Sequence, residues 1–147
     1  LINVELPLSS EIPASYIPDQ ELRLSLYRRI AALRSEEEIT QTKIEFSDRF
    51  GELPPGVEDL FYQMQVKLLG EASGIESIGI VNGQILLTWP PLPQGIKQRS
   101  LPEVDPIARV GKNGYWLNIS NLGAETWQSA LLRVLRKIRE RMDEGWQ

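Results

Sequence analysis

The sequence predicts an α+β fold, with an N-terminal three-helix part packed with a small antiparallel sheet and a long C-terminal helix. Three observations predict it. Apolar residues recur at helical spacing three times before residue 75. Two pairs of short β-rich runs follow, each pair joined by a turn sequence, and a long amphipathic stripe comes last. With 147 residues, the chain has the length of a single domain.

The first 18 residues alternate apolar and polar side chains and include three prolines. Because proline cannot donate a ladder hydrogen bond, the pattern predicts an extended arm over 1–18 rather than a central strand. The domain itself is expected over 19–147. Its helical part occupies 19–74, and the sheet with the last helix occupies 75–147.

The first helix is predicted over 19–34. Asp19 can cap this helix, and Glu21 places an anion in its first turn, where the helix dipole favours negative charge. The apolar stripe at helical spacing marks the side expected to face the core: Leu22, Leu26, Tyr27, Ile30, Ala31 and Leu33.

The boundary between the second and third helices is the clearest in the chain. A capping box, Ser35 with Glu38, opens the second helix. Gly51 tolerates the positive φ that a helix end requires, and Pro54-Pro55 prevents continuation. Since proline suits a first turn, the third helix is predicted to start near the second of these prolines.

Two hairpins and a final helix are predicted after residue 75. IESIGIV and QILLTW are joined by Asn82-Gly83, a pair that favours a type I′ turn, and IARV and YWLNIS flank GKNG. A proline-rich loop over 90–106 separates the hairpins. The last helix is predicted over 124–143, with this apolar stripe: Trp127, Leu131, Val134, Leu135, Ile138 and Met142.

The composition excludes several kinds of chemistry. The chain contains no cysteine and no histidine, which removes thiol nucleophiles, disulfides, Cys/His zinc sites and the usual general base near neutral pH. No phosphate-binding glycine motif is present, and no apolar run reaches the roughly 18 residues of a membrane span. We expect no cofactor and no membrane partner, and the lack of cysteine fits a cytoplasmic location.

Charge is unevenly distributed along the chain. Residues 1–74 carry 7 basic and 13 acidic side chains, a net charge of −6, whereas residues 75–147 carry 9 and 7, a net charge of +2. An acidic first half disfavours a phosphate backbone as its partner and suits a basic protein surface. A well-solvated surface without a partner is the other interpretation.

Two charged clusters have more than one interpretation. Glu45 and Asp48 are three residues apart, next to Arg49, and share one side of the second helix. They suit a solvated surface, a docking patch for a basic partner or a catalytic carboxylate pair. The last helix carries five cations that suit either nucleic-acid contact or a solvated surface: Arg133, Arg136, Lys137, Arg139 and Arg141.

Two motifs resemble the C-terminal domain of bacterial transcription-repair coupling factors. They are YIPDQELRLSLYRRIA at 16–31 and IEFSDRFGELPPGVEDLF at 44–61. The family pattern is close to Y-I-P-D-x-x-L-R-L-x-x-Y-R-R-I-A, followed by a D-R-F-G-x-L-P element that joins the second and third helices. The resemblance spans roughly 4–75. It weakens afterwards, because the stretch 90–106 stands where the family has another helix.

The resemblance implies a non-catalytic, regulatory role for this domain. In the family, the domain docks on the N-terminal module of the same protein, masks the surface of that module that binds the UvrA damage-recognition protein, and restrains the motor. The resemblance implies that Glu45 and Asp48 face basic residues of the module, and we expect Arg49 and Glu52 to contribute to the contact. We call these four residues the docking surface.

The resemblance also implies what the parent protein does. It is expected to be an ATP-dependent translocase on double-stranded DNA that displaces stalled RNA polymerase and recruits UvrA. ATP and Mg belong to its upstream motor domains, and the arm over 1–18 would lead from the preceding motor domain. The alternative is a DNA-binding accessory domain that uses the basic last helix.

Overall fold

The computed structural model describes residues 1–145, which contain four helices and five strands. In chain order they are β1 (Asn3–Glu5), α1 (Gln20–Ala31), α2 (Glu36–Phe50), α3 (Pro55–Ala72), β2 (Ser77–Val81), β3 (Gln84–Thr88), β4 (Ala108–Val110), β5 (Gly114–Asn118) and α4 (Trp127–Asp143). The α+β fold class is therefore confirmed. The domain end expected at residue 147 lies outside the described residues.

The elements are divided between two compact units. Pro7–Leu68 forms the helical unit, and Leu1–Leu6 with the chain from Leu69 onward forms the sheet unit. Among residues 1–145, none of the helices combines the length and the apolar composition needed to cross a lipid bilayer.

The helical unit is built around aromatic and branched apolar side chains. Phe46 and Phe61 are fully buried and meet edge to face, with ring centroids 5.4 Å apart. The predicted caps are present: Asp19 accepts a hydrogen bond from the Glu21 amide, and Ser35 from the Glu38 amide. The buried core of this unit comprises Ile12, Ile17, Leu26, Ile30, Leu33, Ile39, Phe46, Val57 and Phe61.

The segment predicted as an extended arm contributes to both cores. Ile2 and Val4 are buried in the sheet unit, and Ile12 and Ile17 are buried in the helical unit. Glu11 donates its amide to the carbonyl of Gly56, which holds this segment against the start of α3. Whether it leads from a preceding domain stays a prediction.

The sheet has the strand order β1-β2-β3-β5-β4. The two predicted hairpins, β2-β3 and β4-β5, are antiparallel, and β3 pairs with β5 in the same sense. The edge strand β1 pairs parallel to β2, so the sheet is mixed rather than antiparallel throughout. A parallel neighbour needs a long connection, and here all of α1 to α3 lies between the two strands in the chain.

Local details of the sheet unit follow the sequence. Asn82 and Gly83 have φ values of 51° and 74°, as a type I′ turn requires. Trp89 is buried, and its indole N–H donates to the carbonyl of Ser73 at 2.9 Å. The residues 90–106 contain neither helix nor strand. The last helix begins at Trp127 rather than at 124, because Thr126 is its N-cap.

Candidate docking surface on the second helix

The docking surface lies at the C-terminal end of α2, where the chain turns sharply. Gly51 caps the helix with φ 94° and ψ −174°, a conformation that only glycine adopts readily. Its amide donates to the carbonyl of Ser47 at 3.0 Å. Pro55 then starts α3. The turn predicted from the glycine and the prolines is therefore present.

Tyr16 holds this turn from the side. Its hydroxyl lies 2.9 Å from the carbonyl oxygen of Gly51 and 3.2 Å from that of Phe46, and it donates to these acceptors. Its ring meets Phe50 edge to face, with centroids 5.9 Å apart. Burial raises the pKa of Tyr16, so the hydroxyl stays protonated and remains a donor.

Contacts between α2 and α3 fix the angle between them. Beyond the Phe46–Phe61 ring contact, the ammonium of Lys43 lies 3.6 Å from a carboxylate oxygen of Glu58. Gln65 donates its amide to Glu36 at 2.9 Å. Polar contacts therefore accompany the aromatic one, and α2 is presented as a rigid element.

Glu45 is already paired within the helical unit. Both of its carboxylate oxygens accept hydrogen bonds of 2.5 Å from the guanidinium of Arg29 on α1. Arg49, one turn later on α2, places a guanidinium nitrogen 3.7 Å away. The hydrogen bond from Arg29, with the charges of both arginines, lowers the pKa of Glu45. The side chain is 38% exposed, so it is accessible but charge-compensated.

Asp48 and Glu52 differ from Glu45 in this respect. Both are exposed, and within residues 1–145 neither side chain makes an ion pair or a hydrogen bond. The guanidinium of Arg49 lies over the ring of Phe50, 4.7 Å from its centroid. The four residues of the docking surface therefore lie together at one end of α2, but its free carboxylates are Asp48 and Glu52.

Two neighbours of this surface were not predicted from the sequence. One is Arg29, which lies on α1 outside the apolar stripe predicted for that helix. The other is Ile44, which is 58% exposed one turn before Asp48. A helical projection would have found Ile44, because Ile39, Phe46 and Phe50 define the opposite side of α2.

The cations of α4 are mostly engaged within the sheet unit. The side chain of Asp105 is 1% exposed and accepts from Arg133 and Lys137, each at 2.8 Å. Its other oxygen accepts from the Ile107 amide at 3.1 Å. Arg133 also pairs with Glu125. These contacts fasten the loop before β4 to the last helix.

The protonation of this cluster follows from its contacts. The hydrogen bond from Arg133, followed by those from Lys137 and the Ile107 amide, holds the pKa of Asp105 well below its usual range. Asp105 is therefore charged at neutral pH, as its contacts with two cations require. Within residues 1–145, no group of three or more acidic side chains is placed to hold a metal ion.

The sequence of this chain is similar to those of known proteins. The family model described as the TRCF domain matches residues 6–98. The transcription-repair-coupling factor of Staphylococcus epidermidis is 27% identical over 146 residues, which cover 96% of this chain and 12% of that protein. That of Rickettsia prowazekii is 42% identical over 76 residues, or 52% of this chain and 7% of that protein. That of Escherichia coli is 37% identical over 75 residues, or 51% and 6%.

A solved structure has the same fold. The crystal structure of the C-terminal domain of transcription-repair coupling factor matches with a TM-score of 0.79 at 18% identity, covering 99% of this chain and 96% of that chain. At this identity the likeness shows the fold alone. The chain spans 12% or less of the length of the relatives named above.

Proposed function

This chain belongs to the TRCF domain family, and from that premise we propose that it is a non-catalytic, regulatory domain of a transcription-repair coupling factor. It docks on the N-terminal module of its own polypeptide, masks the surface of that module that binds UvrA, and restrains the motor until RNA polymerase is engaged. The docking surface on α2 makes the contact.

The activities of the parent lie outside this chain. We propose that the parent is a cytoplasmic, ATP-dependent translocase on double-stranded DNA, with RNA polymerase and UvrA as its partners. ATP and Mg are held by its motor domains, and no cofactor is assigned to residues 1–147. The contribution of this domain is then a reversible contact rather than a chemical step.

The observation that best supports this proposal is the exposure of the Asp48 carboxylate. It is an exposed carboxylate without a partner in the described residues, on a helix that is fixed on its other side by aromatic and polar contacts. A charge held on a rigid element loses little conformational entropy when it binds, so even a small surface can dock. An unpaired carboxylate next to a charge-compensated one favours a basic partner.

The strength of such a contact is limited by its role. Interfaces between domains of one polypeptide typically bury about 600–1,500 Å² and benefit from a high effective concentration. A contact that a partner must release cannot exceed the differential affinity of that partner for the two states. A docking surface with two free carboxylates, Asp48 and Glu52, fits a contact of this moderate strength.

The proposal is tested in the full-length parent with Asp48→Lys. We expect the variant to bind UvrA more tightly than the wild type and to hydrolyse ATP faster without RNA polymerase. The reason is that the substitution weakens docking of this domain on the N-terminal module. The matched control is Glu140→Lys, which makes the same charge change on the exposed side of α4. Equal UvrA affinity and equal ATPase activity in wild type and Asp48→Lys would overturn the proposal.

A further inference from the structure

Ile44 occupies the solvent side of α2. It is 58% exposed, more than any other large apolar side chain in the helices of residues 1–145. The buried side of α2 is formed by Ile39, Thr42 and Phe46. Phe46 follows Ile44 by two positions, which places the two side chains about 160° apart around the helix axis at about 100° per residue. Ile44 therefore contributes nothing to the core of the helical unit.

The residues around Ile44 set the charge that a partner would meet. Asp48 lies one helical turn further on, exposed and without an ion pair within residues 1–145. Thr40 and Gln41, one turn before, are exposed and uncharged. The carboxylate of Glu45 is directed to Arg29 and Arg49 instead. The combination is an apolar side chain bordered on one side by a single available negative charge.

We propose that Ile44 is the apolar anchor of the docking surface. It enters an apolar pocket on the N-terminal module, and an Arg or Lys at the rim of that pocket pairs with Asp48. This inference rests on the proposed function, and it identifies Ile44 as the side chain that contributes most of the binding energy of the docking contact. Glu45 has a different role: with Arg29 it forms a neutral support next to the anchor rather than a contact of its own.

The reason for assigning this role to Ile44 is that binding energy is unevenly distributed among the residues of a protein interface. Binding energy is concentrated in a few well-packed, desolvated side chains, whereas charges at the rim contribute mainly to orientation and rate. An exposed isoleucine can bury its whole side chain on docking. The Glu45 carboxylate would first have to break two hydrogen bonds of 2.5 Å to reach a new partner.

The experiment is a titration of the 147-residue chain against the separately produced N-terminal module. We expect Ile44→Ser to weaken binding at least about tenfold, the loss that corresponds to leaving an aliphatic side chain unburied. The matched control is Leu24→Ser, which removes an exposed apolar side chain from α1 and should leave the Kd unchanged. Thermal unfolding of both variants should match the wild type, since neither side chain is in the core.

A second variant separates Ile44 from Glu45. Arg29→Gln with Glu45→Gln removes the ion pair without changing the net charge, and we expect its Kd to stay within about twofold of the wild type. Unchanged binding by Ile44→Ser, or loss of binding by the double variant, would overturn the inference while leaving the proposed function in place. Absence of binding by the wild type would overturn both.

Discussion

The guanidinium of Arg29 contacts both carboxylate oxygens of Glu45, at 2.5 Å each. This bidentate pair joins α1 to α2, across 16 residues of sequence. It converts the acidic docking surface expected from the resemblance into one with a charge-compensated part, Glu45 with its arginines, and a negative part, Asp48 and Glu52. The negative charge presented at this end of α2 is therefore smaller than the sequence suggests.

Arg29→Gln should increase the negative charge that the docking surface presents. It releases Glu45, so we expect docking on the N-terminal module to tighten by roughly two- to fivefold at low salt, the size of an exposed ion pair. The increase should disappear at high salt, where exposed charges are screened. Without the hydrogen bond from Arg29, the pKa of Glu45 should also rise toward its ordinary value, which an NMR titration of the carboxyl carbon measures.

The control for this prediction is Arg28→Gln. Arg28 is the preceding residue of α1 and is exposed, and its loss changes the net charge equally without freeing Glu45. If both variants tighten docking to the same extent, the effect comes from net charge, and the assigned role of the Arg29–Glu45 pair is wrong.

Gly51→Ala should destabilise the helical unit. A Cβ at this position would meet no atom within 4 Å, so crowding is not the cause. The cause is the backbone, since φ 94° with ψ −174° is a region that costs other residues about 1–3 kcal/mol. Chemical denaturation followed by far-ultraviolet circular dichroism measures the change in the free energy of unfolding.

Gly79→Ala is the comparison for this substitution. Gly79 lies in β2, where a Cβ would come no closer than 3.8 Å to the Glu5 carbonyl oxygen and φ is not positive. We expect that change to be neutral or slightly stabilising, because alanine restricts the unfolded chain. A Gly51→Ala variant as stable as wild type would mean that the turn relaxes and does not fix α2 against α3.

Local signals in the sequence were sufficient for most elements of the fold. Asp19, Ser35 and Gly51 act on backbone groups within a few residues of themselves, and Asn82-Gly83 forms its turn from its own backbone preferences. Such signals can be recognised without knowing any long-range contact. The same applies to the stripe of α4, whose predicted core positions Leu131, Val134, Leu135 and Ile138 are fully buried.

Long-range pairings could not be predicted in this way. Strand β1 pairs with a strand more than 70 residues further along the chain, and a three-residue run contains too few side chains to show a period. Asp105 is an ordinary loop acid in the sequence, yet its partners on α4 lie 28 and 32 residues away. At the docking surface, the charged residues were predicted, but the ion pair of Glu45 with Arg29 was not, since it depends on how α1 packs against α2.

Asp105→Asn should destabilise the sheet unit and alter its acid sensitivity. Replacing the carboxylate weakens the hydrogen bonds from Arg133 and Lys137, so we expect a loss of about 1.5–3 kcal/mol at neutral pH. The two cations are 34% and 41% exposed and can be rehydrated, which limits the cost. All tryptophans of the sequence follow residue 68, so their fluorescence reports on this unit during denaturation.

The pH dependence of this effect has a definite sign. The folded-state pKa of Asp105 is lowered, so the carboxylate contributes stability above its unfolded pKa of about 3.9, and that stability is lost as the pH falls below this value. The wild type should therefore lose stability between about pH 5 and pH 2 faster than Asp105→Asn does. Parallel acid-denaturation curves for the two proteins would show that the Asp105 cluster does not stabilise the fold.

The isolated chain should not bind duplex DNA measurably through α4. Arg133 and Lys137 are bound to Asp105, and Arg141 donates to the Glu103 carbonyl and pairs with Glu144, so at least three of the five cations are engaged within the described residues. Electrostatic binding weakens with each phosphate contact that is lost. We expect no anisotropy change when the chain is titrated into a labelled duplex at about 50 mM salt. Binding that falls steeply with salt, and that Arg139→Glu on the exposed side of α4 abolishes, would instead favour the DNA-binding alternative.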